Sequence, residues 1–286
     1  MTDSCPATIL CPYLTNPKSV CARSSSRDYM TRISVIGCGN MGGAFIKGLA
    51  ESEHYVIGCD VDESVLATIE DYCDETTTDS SVAETADVVI LAVKPDLVGV
   101  VLSDLDLDAD QTLISIAAGV STDIIESQTA ARVVRIMPNL AAQYGMMAAA
   151  VTESTITDEV RAILDAVGEF VEIPESQMDI ATAVNGSGPA FVFYLINAMA
   201  DAGVDGGLDP EDARVLAAQT FKGAAETVLN SDESIEDLID AVCSPNGTTI
   251  EGMESLWDST VETDVGQAVA AAEERSEELA QEATDE

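Results

Sequence analysis

Apolar residues in this chain gather first in short β-branched runs separated by helical stretches, and after about Pro174 they fall in helical spacing alone. Arg32 to Ile36 is the first run, and it breaks at Gly37-Cys38-Gly39-Asn40-Met41-Gly42. A helix follows the glycines, and a second strand ends at Asp60. Asp62 is placed to cap a helix over Glu63 to Tyr72. Asp87 to Val93 is continuously apolar, the mark of a parallel strand buried on both faces. Leu113 to Ala117 and Val133 to Met137 read the same way, with a short helix after Ser121 between them. Met146 to Val151 is a further strand, Asp158 to Gly168 a helix, and Phe170 to Ile173 closes the sheet. Such alternation predicts an α/β fold, a Rossmann-like doubly wound sheet over residues 30–174.

Beyond Pro174 the expected domain, residues 175–286, is all helical. Ile180 to Ala200 is 21 residues without a charge, long enough to span a membrane by length alone. It carries Asn185-Gly186-Ser187-Gly188-Pro189 and Asn197, groups an isolated span would hold at a cost. A helix buried on nearly all sides, in a soluble protein or an oligomer core, fits better. Further helices are predicted from about Pro210 to Leu229, Ile235 to Val242, Thr248 to Trp257 and Val265 to Ala283.

The glycine turn adds chemistry to this framework. In a G-x-G-x-x-G turn, Gly37 permits the sharp exit from the strand, Gly39 lets a pyrophosphate approach, and Gly42 lets the helix pack closely. Asn40 and Met41 complete the turn, and the helix aims its unpaired amides at the phosphates. Asp60 lies 18 residues after Gly42, where a carboxylate accepts from ribose hydroxyls and repels a 2′-phosphate. NADH is thereby slightly favoured over NADPH.

Charge sets the surroundings. Acidic residues number 52 against 12 basic ones, a formal net charge of -40. A surface this acidic repels nucleic acid and anionic membrane, which excludes both as partners. Apolar residues make up 47% of the chain, too many for a disordered acidic polymer. The composition implies a folded, halophilic, cytoplasmic protein whose carboxylates are screened by salt. The first 29 residues differ, with three basic and two acidic residues and three of the seven cysteines. They hold no long apolar run, as a secretory signal would, and read as an Arg- and Ser-bearing targeting leader or, more simply, as a non-native or disordered extension with translation starting at Met30. Cys38, Cys59, Cys73 and Cys243 have no metal-ligand spacing and read as thiols in a reducing compartment.

Two further motifs sit at strand ends, where open sheets bind ligands. Ala92-Val93-Lys94-Pro95 places Lys94 to neutralise cofactor phosphate or to contact the ribose. Arg135-Ile136-Met137-Pro138-Asn139 places Asn139 to bond the carboxamide or a nearby loop. A third motif, Cys243-Ser244-Pro245-Asn246-Gly247-Thr248-Thr249-Ile250, is a turn running into a helix. Its outward amides and hydroxyls suit a carboxylate without any lysine or arginine.

Taken in order, G-C-G-N-M-G, A-V-K-P, M-P-N, G-S-G-P-A and S-P-N-G-T-T-I resemble the pyrroline-5-carboxylate reductase family from Met30 to about Leu279, including Arg275-Ser276-Glu277-Glu278-Leu279. The resemblance implies reduction of 1-pyrroline-5-carboxylate to L-proline with NAD(P)H, the last step of proline biosynthesis. It also implies a helical domain that interlocks with its twin, giving a homodimer or a ring of dimers. Thr249 is then the side chain on the ring nitrogen, and Ser244, Asn246, Gly247 and Thr248 hold the substrate carboxylate. The family usually has a glycine at Asn246, a serine at Asn185 and Thr-Pro at Leu140-Ala141. Asparagine is the non-glycine residue best able to hold a left-handed conformation, so the turn is expected to survive. His54 is the single histidine and lies outside every motif, which argues against histidine acid/base chemistry. Two other readings fit the first motif alone: a 3-hydroxy acid dehydrogenase, although no lysine occurs between Lys94 and Lys222, and a non-catalytic dinucleotide-binding protein.

Overall fold

The computed structural model describes residues 31–153 and 156–285; the expected extension and start at Met30 lie outside them. The chain forms β1 (Arg32–Ile36), α1 (Asn40–Leu49), β2 (Tyr55–Cys59), α2 (Glu63–Leu66), β3 (Glu75–Thr77), β4 (Val88–Leu91), α3 (Val98–Ser103), β5 (Thr112–Ser115), α4 (Thr122–Glu126), β6 (Arg132–Met137), β7 (Met147–Thr152), α5 (Asp158–Asp165) and β8 (Gly168–Ile173). These eight strands make one sheet in the order β3-β2-β1-β4-β5-β6-β7-β8. Every neighbouring pair is parallel except β6 and β7.

The period-2 geometry of a strand explains the continuous apolar run in β4. Val88 and Ile90 enter one core with Phe45, Ile46 and Leu49 of α1 and Val160, Ile163 and Leu164 of α5. Val89 and Leu91 enter the opposite core with Val98 and Leu102 of α3 and Ile125 of α4. All four β4 side chains are fully buried, each worth about 1.5–3 kcal/mol of transfer free energy. A strand covered on both faces needs no polar alternation.

Several elements depart from the sequence expectation. Asp62 does cap α2, accepting from the Ser64 N–H at 2.8 Å, but the helix stops at Leu66. Thr68 Oγ1 donates to the Val65 carbonyl at 2.7 Å, and the chain turns so that Ile69 enters the core. Such hydroxyl-to-backbone bonds offer the chain an alternative to helix. β3 was not expected because its three polar residues, Glu-Thr-Thr, lack an apolar face.

The charge-free stretch from Ile180 is broken into α6 (Met178–Ala181), a π-helical turn (Thr182–Gly186) and α7 (Gly188–Asp205). Pro189 lies in the first turn of α7, where its missing N–H costs nothing. The expected all-round burial is not present in the single chain: Phe193 is 67% and Tyr194 76% exposed. The remaining helices are α8 (Pro210–Leu229), α9 (Ile235–Val242), α10 (Thr248–Trp257) and α11 (Val261–Asp285). No helix among the described residues is long and apolar enough to cross a membrane.

The chain divides into two compact units. One runs to Asn185 and takes in Ser276 onward, while the other is Gly186–Arg275. Within the first, Ser276 Oγ donates to Asp179 Oδ1 at 2.7 Å, which fastens the end of α11 to the start of α6. The second has only a small core at Ala200, Ala213 and Ala217, and it leaves Leu229, Val242 and Trp257 largely exposed.

His54 supplies a pH-dependent contribution to the first unit. It is buried, and its Nδ1 has no hydrogen-bond partner. Burial holds its pKa below the usual 6.5, with Glu159 and Glu53 pulling the other way. The folded state therefore takes up the proton less readily than the unfolded one. The neutral ring's stability is complete above about pH 6.5 and is lost as pH falls toward the folded pKa, by up to about 1.4 kcal/mol per pH unit. Denaturant midpoints of wild type and His54→Leu between pH 8 and pH 5 should diverge in the variant's favour below pH 6.5. A constant difference would show that His54 does not resist protonation.

Candidate active site

The glycine turn is built by close backbone packing. Gly37 has φ +89, and a Cβ there would lie 2.7 Å from the Ala92 carbonyl oxygen. A Cβ on Gly42 would sit 1.8 Å from the Gly37 carbonyl oxygen and 3.1 Å from Ala92 Cβ. Gly37, Gly42 and Ala92 thus form one close-packed seam between β1, α1 and the end of β4. Gly39 differs, since a Cβ there would meet nothing within 4 Å. Gly39 N-caps α1 with no side-chain bond, and the first turn of α1 carries no acid. Asn40 is exposed, whereas Met41 packs on the core. An open glycine face beside uncapped amides fits a dinucleotide pyrophosphate.

Asp60 braces the same turn. One carboxylate oxygen accepts from the Cys38 N–H at 2.7 Å and the other from the Asp62 N–H at 3.0 Å. Each oxygen retains capacity for a second donor. Beneath the turn, burial pushes the Cys38 thiol far up and the Cys59 thiol up to about 11, so neither is a nucleophile.

The strand-end motifs fall on the same side of the sheet as the turn, at the carboxyl ends of β4 and β6. Lys94 is exposed and has no ion pair among the described residues. Asn139 is buried and bonded on both sides of its amide: Oδ1 accepts from the Ala141 N–H at 3.1 Å and the Ala148 N–H at 3.4 Å, and Nδ2 donates to the Asn185 carbonyl at 3.2 Å. Asn185 reciprocates through Nδ2, donating to the carbonyls of Met137 at 2.6 Å and Ala148 at 2.9 Å.

At the base of the β6 motif, buried Arg135 pairs with Glu175 at 3.0 Å, and Glu175 also accepts from the Thr122 N–H at 2.8 Å and the Thr122 hydroxyl. Burial pushes the Glu175 carboxyl up, but the bonds from Thr122 and Arg135 outweigh it and leave the pKa below the usual range. The sequence reading missed both Asn185 as a bridge and Glu175 as an anchor. Only the position of Asn185 directly before Gly-Ser-Gly-Pro hinted at either.

In the second unit, Ser244 to Gly247 form a turn closed by the Gly247 N–H donating to the Ser244 carbonyl at 2.9 Å. Pro245 and Asn246 are its central residues, and Asn246 has φ +56, the one left-handed non-glycine residue among those described. Proline at the first central position and positive φ at the second are the signature of a type II turn. The expected tolerance of asparagine for glycine is therefore met. A Cβ on Gly247 would lie 2.3 Å from Ser244 Oγ and 2.9 Å from its carbonyl, so glycine is needed for the hydroxyl to fold over it. Gly247 N-caps α10 without a side chain, and Glu251 is the acid of that first turn. Thr248 and Thr249 follow, both exposed. The result is a helix N-terminus of uncapped amides, flanked by three hydroxyls.

These features agree with what the chain matches among known proteins. Residues 175–279 match the family model for pyrroline-5-carboxylate reductase dimerisation, and residues 32–119 match that for NADP oxidoreductase, coenzyme F420-dependent. The pyrroline-5-carboxylate reductase of Methanosarcina acetivorans is 38% identical over 263 residues, covering 87% of this chain and 97% of that one. That of Mycobacterium tuberculosis is 34% identical over 286 residues, with the same coverage. Among solved structures, a Coxiella burnetii pyrroline-5-carboxylate reductase superposes with a TM-score of 0.78 at 32% identity, covering 87% of this chain and 98% of that one. A Plasmodium falciparum pyrroline carboxylate reductase with NADP bound gives a TM-score of 0.74 at 29% identity, covering 88% and 99%. With its Rossmann-like sheet, its helical dimerisation domain and relatives this similar over nearly their whole length, the chain belongs to the pyrroline-5-carboxylate reductase family.

Proposed function

We propose that this chain reduces 1-pyrroline-5-carboxylate to L-proline with NAD(P)H, and that the left-handed Asn246 turn at the start of α10 is its carboxylate site. That turn is the observation that carries the reading: it keeps the amides at the head of α10 clear of any side-chain cap. Such amides attract an anion through the helix dipole as well as by hydrogen bonding. Ser244, Asn246, Gly247 and Thr248 surround the carboxylate, and Thr249 donates to the ring nitrogen. Gly37, Gly39, Asn40, Met41 and Gly42 cradle the pyrophosphate, Ala92 and Lys94 follow at the end of β4 with Lys94 on a cofactor phosphate or the ribose, and Asn139 serves the nicotinamide end. Bound NAD(P)H would supply the hydride to the carbon of the C=N bond, and solvent would supply the proton that the nitrogen gains. The residues of the chain orient the imine and stabilise charge at nitrogen, for which neither a histidine nor a metal ligand is needed. Turnover of pyrroline-5-carboxylate to proline, followed by NADH and NADPH oxidation in molar KCl, tests the reading. A protein that binds NADH but leaves the imine untouched would refute it.

NADH is the favoured donor in this proposal. Asp60 faces the ribose end of the turn, and no lysine or arginine occurs between Lys47 and Lys94 to receive a 2′-phosphate. At about 4 Å a pair of like charges repels by roughly 1–4 kcal/mol at surface dielectrics. Asp60→Asn keeps a carbonyl acceptor for the Cys38 N–H, and Asp60→Ser leaves only a hydroxyl on a shorter side chain; both remove the charge. Each should shift the NADPH:NADH ratio of kcat/KM toward NADPH by about tenfold. Strong NADPH preference in the wild type would contradict the role given to Asp60.

The proposal extends to setting and assembly. The helical domain, taken as residues 175–286 beside a dinucleotide domain of residues 30–174, pairs with its twin in a homodimer or a ring of dimers. Free buried thiols suit a reducing cytoplasm. With a net charge of -40, the fold should lose stability as KCl falls from 2 M to 0.1 M and the screening length grows to about 10 Å. A Tm lower by about 10 °C or more is expected over that range. A flat Tm would remove the halophilic reading.

A further inference from the structure

The β6–β7 ladder is cut short by the sequence itself. It pairs Ile136 with Val151 and Met137 with Ala150, and there it stops, because Pro138 has no N–H to donate and Asn139 turns away. Two side-chain amides take over where the backbone rungs end. Asn139 Oδ1 accepts from the Ala148 N–H, and Asn185 Nδ2 donates to the Ala148 carbonyl, so both backbone groups of Ala148 are bonded as they would be by a neighbouring strand. The second N–H of Asn185 reaches the Met137 carbonyl, and Asn139 Nδ2 closes the ring onto the Asn185 carbonyl. Asn185 Oδ1 is buried with no donor, so all the side-chain bonding of this residue runs through its two N–H groups. The residue stands in a π-helical turn, a backbone form that recurs at functional sites because it re-aims one side chain.

We infer that Asn185 is a positioning residue for the reduction: by bridging Met137 and Ala148 it holds the Met137-Pro138-Asn139 loop in the geometry that seats the nicotinamide end of the cofactor. The inference rests on the proposed placement of the cofactor along the strand ends. A serine at this position, usual in the family, has a single O–H and bridges only one of the two carbonyls. In this chain the amide supplies both bonds, and their loss frees a loop whose displacement by about 1 Å is enough to slow hydride transfer markedly.

The test compares Asn185→Ala, Asn185→Ser and Asn185→Asp in the full chain at molar KCl. The readouts are kcat with pyrroline-5-carboxylate, the Kd of NADH and the Kd of ADP-ribose, which lacks the nicotinamide. Asn185→Ala should lower kcat about tenfold with the Kd of ADP-ribose unchanged, and Asn185→Ser should fall between it and wild type. Asn185→Asp should be slower than Asn185→Ala at pH 8, where a carboxylate opposes two carbonyls. It should then recover as pH falls to 5 and the protonated carboxyl donates one bond. If Asn185→Ala is too unstable to assay, the Asn185→Ser and Asn185→Asp comparison carries the same distinction. Wild-type kcat in the variants, or an Asn185→Asp rate that does not change with pH relative to wild type, would overturn the inference alone. Absence of turnover in the wild-type protein would overturn the functional reading and this inference with it.

Discussion

Gly42→Ala is expected to lower NADH affinity by about 100-fold or more and to destabilise the first unit by about 1–3 kcal/mol or beyond. The added methyl would sit 1.8 Å from the Gly37 carbonyl oxygen and 3.0 Å from its carbon, backbone atoms that no rotamer change can move. Relief requires α1 to withdraw from β1, which takes the uncapped amides away from the pyrophosphate. Gly39→Ala separates the two effects. Its methyl meets no protein atom within 4 Å, so the melting temperature should hold while the open face is filled and NADH binding falls. Fluorescence titration of NADH alongside a thermal melt reads both. Gly42→Ala binding NADH like the wild type would mean that the seam is not a binding element.

Thr249→Val is expected to lower kcat/KM for pyrroline-5-carboxylate by about 10 to 100 fold, or roughly 1.4–2.7 kcal/mol. Valine keeps the β-branched shape at the second position of α10 and removes only the donor. The turn from Ser244 to Gly247, with its own backbone bond and its left-handed Asn246, does not depend on the Thr249 hydroxyl. As the planar imine becomes a tetrahedral amine, basicity at nitrogen rises, and the proposed bond from Thr249 would strengthen. The loss should therefore appear in the transition state more than in substrate binding. NADH affinity should stay within about twofold, since the dinucleotide cradle belongs to the other unit. Full kcat/KM in this variant would reduce Thr249 to a helix-start residue and move attention to Ser187.

The parallel core was legible because its signal is local: four consecutive apolar residues in β4 can only be satisfied by cover on both faces. The glycine turn was legible because its spacing encodes close contacts, here Gly42 on Gly37 and Gly37 on Ala92. Asn246 could be expected to turn left-handed because its chemistry is nearly unique among side chains with a Cβ. What escaped were elements defined by partners far away in sequence. β3 exists because Ile57 to Cys59 offer it a paired edge, not because Glu75 to Thr77 favour a strand. The antiparallel turn from β6 to β7 depends on Pro138 ending the ladder and on two asparagines 46 residues apart completing it. Glu175 became an anchor only once Arg135 and Thr122 were folded against it. The charge-free stretch reads as a helix covered in a soluble protein or in an oligomer core; in the single chain Phe193 and Tyr194 of α7 are exposed, so only the second form of that cover is left for them.

In the proposed function a carboxylate-binding turn, not a general base, makes this chain a reductase of one cyclic imine. The most direct measurement is kcat/KM at molar KCl for 1-pyrroline-5-carboxylate against 1-pyrroline, which has the same C=N bond and no carboxylate. Proline formation with a ratio of about 100 or more in favour of the carboxylated imine is the predicted result, the worth of one helix-terminus carboxylate site carried into the transition state. Equal rates on the two imines, or no turnover of either, would contradict it.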